Sequence, residues 1–174
     1  MKRSLFTLGI SFMATGLTAQ ESKWGNSLAD SVSCFENYNI MGSYYQGKNY
    51  VDAYDSWKAL YETCPAANIR IYTYGDNILE AIIKSASSEA SKNGYIQELL
   101  SMFDSFAVHF PEEKGNALSS KAYYFYNYFK KDADSVSKAV VMFEEAKSLL
   151  GDNMSVAHID RYFQRVPLEH QLPH

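Results

Sequence analysis

Cys34 and Cys64 are the only cysteines in a sequence of 174 residues. Two thiols can hold a metal, run redox exchange or form a structural bridge. The first two fit poorly, because there is no C-x-x-C pair and no histidine at ligand spacing. The histidines are His109, His158, His170 and His174. His158 and Asp160 have the residue types of half a catalytic pair, but two positions apart on a helix they point away from each other. Glu112-Glu113 and Glu144-Glu145 are expected at helix starts or on solvated faces. Asp76 and Glu80 stand one helical turn apart with no obvious opposing residue, a weak basis for glycoside hydrolysis. No glycine-rich phosphate loop, G-x-S-x-G or H-E-x-x-H occurs. The expectation is a non-enzyme with no metal and no cofactor.

Binding chemistry is better represented than catalytic chemistry. The sequence has 14 Tyr and 10 Phe, residues that bury much area, and Tyr can keep its hydroxyl wet. A net charge of −4 and the lack of any block of like charges argue against a nucleic-acid partner. Hydrophobic residues at 47% and charged residues at 21% suit a globular domain, and the length suits one core.

The N-terminus reads as an address. Lys2 and Arg3 precede an apolar stretch from Leu5 to Leu17, followed by Thr18-Ala19-Gln20. That is the layout of a secretory signal peptide over residues 1–19, too short for a comfortable membrane span. No later apolar run has the length of a span, so no span is expected in the mature chain.

Residues 20–33 are polar and read as a linker. Ser33 and Glu36 have capping-box spacing, so the first helix is expected from near Cys34 to Gln46. Helical periodicity then predicts segments over 50–63, 68–88, 95–110, 115–129, 136–150 and 155–166. The run SSEASKNG before Tyr95 reads as a loop, Asp134 or Ser135 as a helix cap, and Gly151 as a C-cap. Residues 167–174 form a tail without periodicity. The class is all-α.

Residues 34–67 resemble a tetratricopeptide repeat. Tyr44 falls at the aromatic site of the first helix, Tyr50 at the turn aromatic, Ala53 at the small site of the second helix, Trp57 at the next aromatic and Pro65 at the terminal proline. Gly75 stands at the small site of a second unit, whose loop is about eight residues longer than the repeat requires, and Ala139, Phe143 and Ala146 recover the pattern in a third. The resemblance implies a right-handed α-solenoid of about three helix pairs plus a terminal helix over 34–166. The run from Cys34 through Cys64-Pro65 to Gly75 is also similar to exported tetratricopeptide-like proteins of Bacteroidota envelopes. Asp30-Ser31-Val32 and Asp134-Ser135-Val136 resemble the short O-glycosylation signal of such exported proteins, or are simply serines near helix caps.

In a helical hairpin the start of the first helix and the end of the second lie side by side. Cys34 and Cys64 are therefore expected either to bridge in an oxidising compartment or to be two buried thiols.

The resemblance also implies a concave groove lined by first helices. Its candidates are Phe35, Tyr38, Gly42, Tyr45 and Gln46 in the first unit, then Ile69, Tyr72, Asp76, Leu79 and Glu80 in the second. The surface is tyrosine-rich and mildly acidic, without a Lys/Arg clamp for a C-terminal carboxylate. It suits an extended peptide or a partner helix, unless these aromatics pack under the last helix. The leading expectation is a non-enzymatic adaptor in the periplasm or at the outer membrane, with a protein partner. The alternative is a subunit that self-associates through its aromatic surface as a homo-oligomer. A hydrolytic or sugar-binding protein would need clustered carboxylates facing the groove.

Overall fold

The computed structural model describes residues 23–154. The expected signal peptide, the expected helix over 155–166 and the tail lie outside the described residues. Within them the chain is all-α, with six α-helices and no strand. These are α1 (Leu28–Gln46), α2 (Tyr54–Thr63), α3 (Arg70–Ser85), α4 (Glu89–His109), α5 (Lys114–Phe129) and α6 (Ala133–Leu150). Short 3-10 turns follow α4 and α6. Each helix packs mainly against its neighbours in sequence.

Four boundaries differ from the sequence reading. Helix α1 starts at Leu28, so part of the expected linker is helical. Ser27, not Ser33, caps it by accepting a hydrogen bond from the Asp30 amide at 3.1 Å. Both serines stand three residues before an acid. Helix α4 starts at Glu89 under a Ser88 cap, so the run expected as a loop is helix. Gly94 faces open space there, and its propensity cost of about 1 kcal/mol is tolerated in a long helix. Asp132 caps α6, accepting from the Ser135 amide at 2.9 Å. Helix α2 begins at Tyr54 rather than near Tyr50, because the chain first turns through Val51–Ala53.

The α1 terminus explains that turn. The Asn49 amide donates to the Tyr44 carbonyl and the Lys48 amide to the Tyr45 carbonyl, at 2.9 and 3.0 Å. This is a Schellman pattern, and its left-handed position is Lys48, with φ 58°. Gly47, the C-cap, stays in the right-handed region. Gly151 is the C-cap of α6, as expected, and has a positive φ of 53°.

The main core lies between α1 and α5. Met41, Trp57, Leu60, Ile71, Ile78, Leu79, Leu99 and Met102 are fully buried in it. Ala53 is buried at the start of α2, as the small-residue site requires. The helices approach closely at Gly75, where an added β-carbon would lie 2.5 Å from Met102 Sδ. Among the described residues a smaller cluster holds α5 to α6 through Ala122, Phe143, Ala146 and Met154. Ala139, Phe143 and Ala146 are all buried.

Cys34 and Cys64 form a disulfide, with Cα atoms 6.4 Å apart. The bridge joins the first half of α1 to the residue ending α2, which sets the two helices as an antiparallel hairpin. No described helix is long and apolar enough to cross a membrane.

Candidate functional site

Helices α1 and α3 lie side by side and parallel, in constant register. Tyr38 accepts a hydrogen bond from Arg70 at 3.2 Å, and further along Tyr45 accepts one from Asn77 at 2.9 Å. Both pairs are separated by 32 residues. Between them the Arg70 guanidinium lies 5.8 Å from the centre of the Tyr74 ring. Tyr74 stacks flat on Tyr45, with centroids 3.6 Å apart and planes 3° from parallel.

Asp76 follows in the same face. Its Oδ1 accepts from the Asn77 backbone amide at 2.6 Å and the Asn77 side-chain amide at 3.0 Å. Asn77 thereby ties the carboxylate to the Tyr45 hydroxyl. Burial pushes the Asp76 carboxyl up to about 6, the Asn77 amide pulls the other way, and Glu80 one turn on adds repulsion. Burial raises the Tyr45 phenol too, with Asp76 adding to it.

Helix α5 supplies the opposite wall. Tyr124 is held well above the usual phenol range by burial, then by the Asp76 and Glu80 carboxylates. Tyr128 is pushed up to about 12 by burial and then by Glu80. Glu80 lies on one surface with Tyr124 and Tyr128. An open groove of about 430 Å³ lies there, bounded by Glu80 and Lys84 of α3, Lys92 of α4, and Tyr124, Asn127 and Tyr128 of α5. The α4 wall comes from its extra length, 21 residues against 10 in α2. Those added turns begin with the segment expected as a loop.

The expected groove residues divide. Tyr38 and Tyr45 meet α3 at Arg70, Tyr74 and Asn77, Asp76 is joined to Asn77, and Glu80 lines a groove with Tyr124 and Tyr128 of α5. Phe35 is 58% exposed and touches Trp24 edge-on at 6.0 Å, beside an apolar trough that Val32 also lines. Gln46 is exposed at the end of α1. Tyr72 does not face a groove and is corrected here. It is 1% exposed, stacks on Phe106 at 4.8 Å and pairs its hydroxyl with Ser105 at 3.2 Å. Helix rotation turns it onto α4, and Leu79 is buried likewise.

Sequence reasoning missed Tyr74, Asn77, Tyr124 and Tyr128. The density of tyrosines in 115–129 was a signal for the last two. Asn77 had none, because its role depends on the register of α1 against α3.

The remaining chemical candidates are dispersed. Among the described residues no three His, Cys, Asp or Glu side chains gather as a metal site. His109 ends α4, and His158, His170 and His174 lie outside the described residues. Glu113 accepts from the Asn116 side chain at 2.7 Å, and Glu145 pairs with Lys114 at 3.3 Å. Ser31 and Ser135 sit near the starts of α1 and α6, where the Ser31 hydroxyl donates to the Ser27 carbonyl at 3.0 Å.

Comparison with protein-family models, curated proteins and solved structures returns no match for this chain.

Proposed function

We propose that the chain is a non-enzymatic adaptor of the bacterial envelope that holds a peptide or helix of a protein partner. The observation that carries the reading is the parallel, 32-residue register of α1 on α3. It sets Tyr38 and Tyr45 of α1 against Arg70, Tyr74 and Asn77 of α3, which supports an aromatic surface there, and aromatic side chains are favoured anchors in interfaces. The same register supports a tetratricopeptide-like stack, continued by an elongated second unit. The disulfide and the lack of a spanning helix among the described residues are compatible with an exported protein. Periplasmic or outer-membrane-associated location and removal of residues 1–19 belong to this proposal.

The test is affinity capture and crosslinking in the native envelope, comparing the wild type with a Phe35→Ala/Gln46→Ala double variant and a Tyr38→Ala variant. Capture of a defined partner, weakened in the variants, supports the adaptor. Failure to capture any partner sinks it.

Self-association has one observation of its own. Leu28, Val32, Phe35 and Ile40 are large apolar residues exposed on α1, at 82, 51, 58 and 46%. Such a concentration marks contact surfaces. Sedimentation velocity across a concentration series separates the two readings, since only the self-associating subunit shifts with protein concentration.

A further inference from the structure

We propose that the outer face of α1 docks an amphipathic helix of a protein partner, one with apolar residues spaced by alternating fours and threes and a basic residue beside Glu36. This rests on the adaptor reading and names the form and charge of the partner's segment.

Leu28, Val32, Phe35, Asn39, Gly42 and Gln46 follow one another in alternating steps of four and three residues. At 3.6 residues per turn they fall within an arc of about 80°. Cys34 and Met41, the buried residues of α1, are turned about 130° away from that arc. The line runs about 27 Å along the helix. Leu28, Val32 and Phe35 are 82, 51 and 58% exposed, so its first half is apolar. Asn39 and Gln46 are exposed too. Steps of four and three are the spacing at which one α-helix seats the side chains of another. An extended peptide, whose side chains alternate at every second residue, does not follow such a line.

The shape of the line favours a partner over a second copy. Trp24 braces the Phe35 ring edge-on at 6.0 Å, beside a trough of about 560 Å³ that Val32 also lines. A held ring loses little freedom on binding and makes a strong anchor. Further along there is a notch, because a β-carbon on Gly42 would meet nothing within 4 Å. A second α1 laid parallel and in register sets Gly42 on Gly42 and leaves an empty layer. Laid antiparallel over the same length, it sets Leu28 against Gln46 and Val32 against Gly42, apolar half against polar half. Three exposed apolar side chains also fall short of the ~800 Å² per partner of a stable dimer. A different helix, with a large residue over Gly42, fills the same line.

Charge narrows the partner further. Asp30 and Glu36 are the only charged residues of α1, so the helix has no basic residue of its own to answer them. Glu36 is exposed and borders the trough. A lysine or arginine flanking the partner's apolar stripe supplies the countercharge, and flanking charges of this kind set partner choice between helices.

The test uses the full mature chain and three labelled three-heptad probes at physiological ionic strength. The first has leucine at the four-three positions and lysine flanks, the second has glutamate flanks, and the third is the lysine probe broken by a central proline. Fluorescence anisotropy gives affinities for wild type, Val32→Asp, Glu36→Lys and two controls, each checked by circular dichroism. The controls are Val141→Asp, at a position 62% exposed on α6, and Asp52→Lys, at an exposed position before α2. The lysine probe is expected to bind about tenfold tighter than its proline counterpart, a difference that Val32→Asp removes and Val141→Asp keeps. It is expected to bind about threefold tighter than the glutamate probe, a preference that Glu36→Lys removes and Asp52→Lys keeps. Equal affinity for the intact and broken probes overturns the proposal. So does an equal loss in Val141→Asp, or a charge preference that survives Glu36→Lys. A wild-type dimer in sedimentation velocity that Val32→Asp dissolves gives the face to a second copy and overturns it too. If a native partner is captured but its binding survives Val32→Asp and Glu36→Lys, the adaptor stands and this face falls. If the probes discriminate but no native partner is captured, the face stands and the adaptor falls.

Discussion

The indole nitrogen of Trp57 lies 2.7 Å from where a β-carbon on Gly75 would stand. The same nitrogen donates to the Ile71 carbonyl, one turn earlier on α3, at 2.6 Å. Helix α3 therefore approaches α2 along a strip that tolerates no side chain, and Met102 of α4 closes the other side. A helix-breaking residue sits in mid-helix because packing outweighs propensity.

Gly75→Ala is expected to destabilise the protein by about 2–3 kcal/mol, although alanine favours helix by about 1 kcal/mol. Urea denaturation reads the difference. A variant as stable as the wild type would mean that Trp57 and Met102 give way at no cost.

The disulfide closes a loop with a sequence separation of 30. Replacing both cysteines by alanine is expected to cost about 3–4 kcal/mol in the chain-entropy account. Intact mass after alkylation of the folded, unreduced protein is expected to show no modified thiol. Two alkylated cysteines would refute the bridge.

Asp76 sets a pH dependence with a definite sign. Its folded-state value of about 6 lies above the unfolded range, so the native state holds the proton more tightly. Its stabilising contribution is complete below about pH 4 and lost as pH rises through 6. Asp76→Asn keeps the acceptor for Asn77 and removes the charge. It is expected to be more stable than wild type by about 1–2 kcal/mol at pH 8 and equal to it at pH 4. Denaturation midpoints across that interval check it, and a constant difference would place the cause elsewhere.

Lys48 occupies the left-handed position that ends α1. Lys48→Gly is expected to stabilise the protein by up to about 1 kcal/mol, the relief of β-carbon strain exceeding the added chain entropy. A lower midpoint in thermal melting would contradict this.

Much of the scaffold was legible because apolar spacing reports helices directly. The Cys34–Cys64 pair followed from the hairpin expected of two successive helices, with two buried thiols as the alternative, while the small site at Gly75 and the buried Ala139, Phe143 and Ala146 followed from the resemblance to a helical repeat. Helix starts were less legible, because Ser27 and Ser33 offer the same capping chemistry and only tertiary contacts choose between them. The groove was least legible. Counting positions along a repeat placed Tyr72 on the surface, whereas the actual rotation of α3 sends it against Phe106. Tyr124 and Tyr128 required the register of α5 on α3, which depends on how long α4 is. That length was hidden in a polar run with the composition of a loop.

Packing mainly between sequence neighbours has a consequence for motion. Contacts are local, so helix pairs can form early and fast, and opening need not be global. The α1–α2 hairpin is clamped by its disulfide, while α6 depends on a smaller cluster with α5. Backbone amides of α6 should then exchange with solvent through local opening long before those of α3, and the molecule would lose its order from that end first.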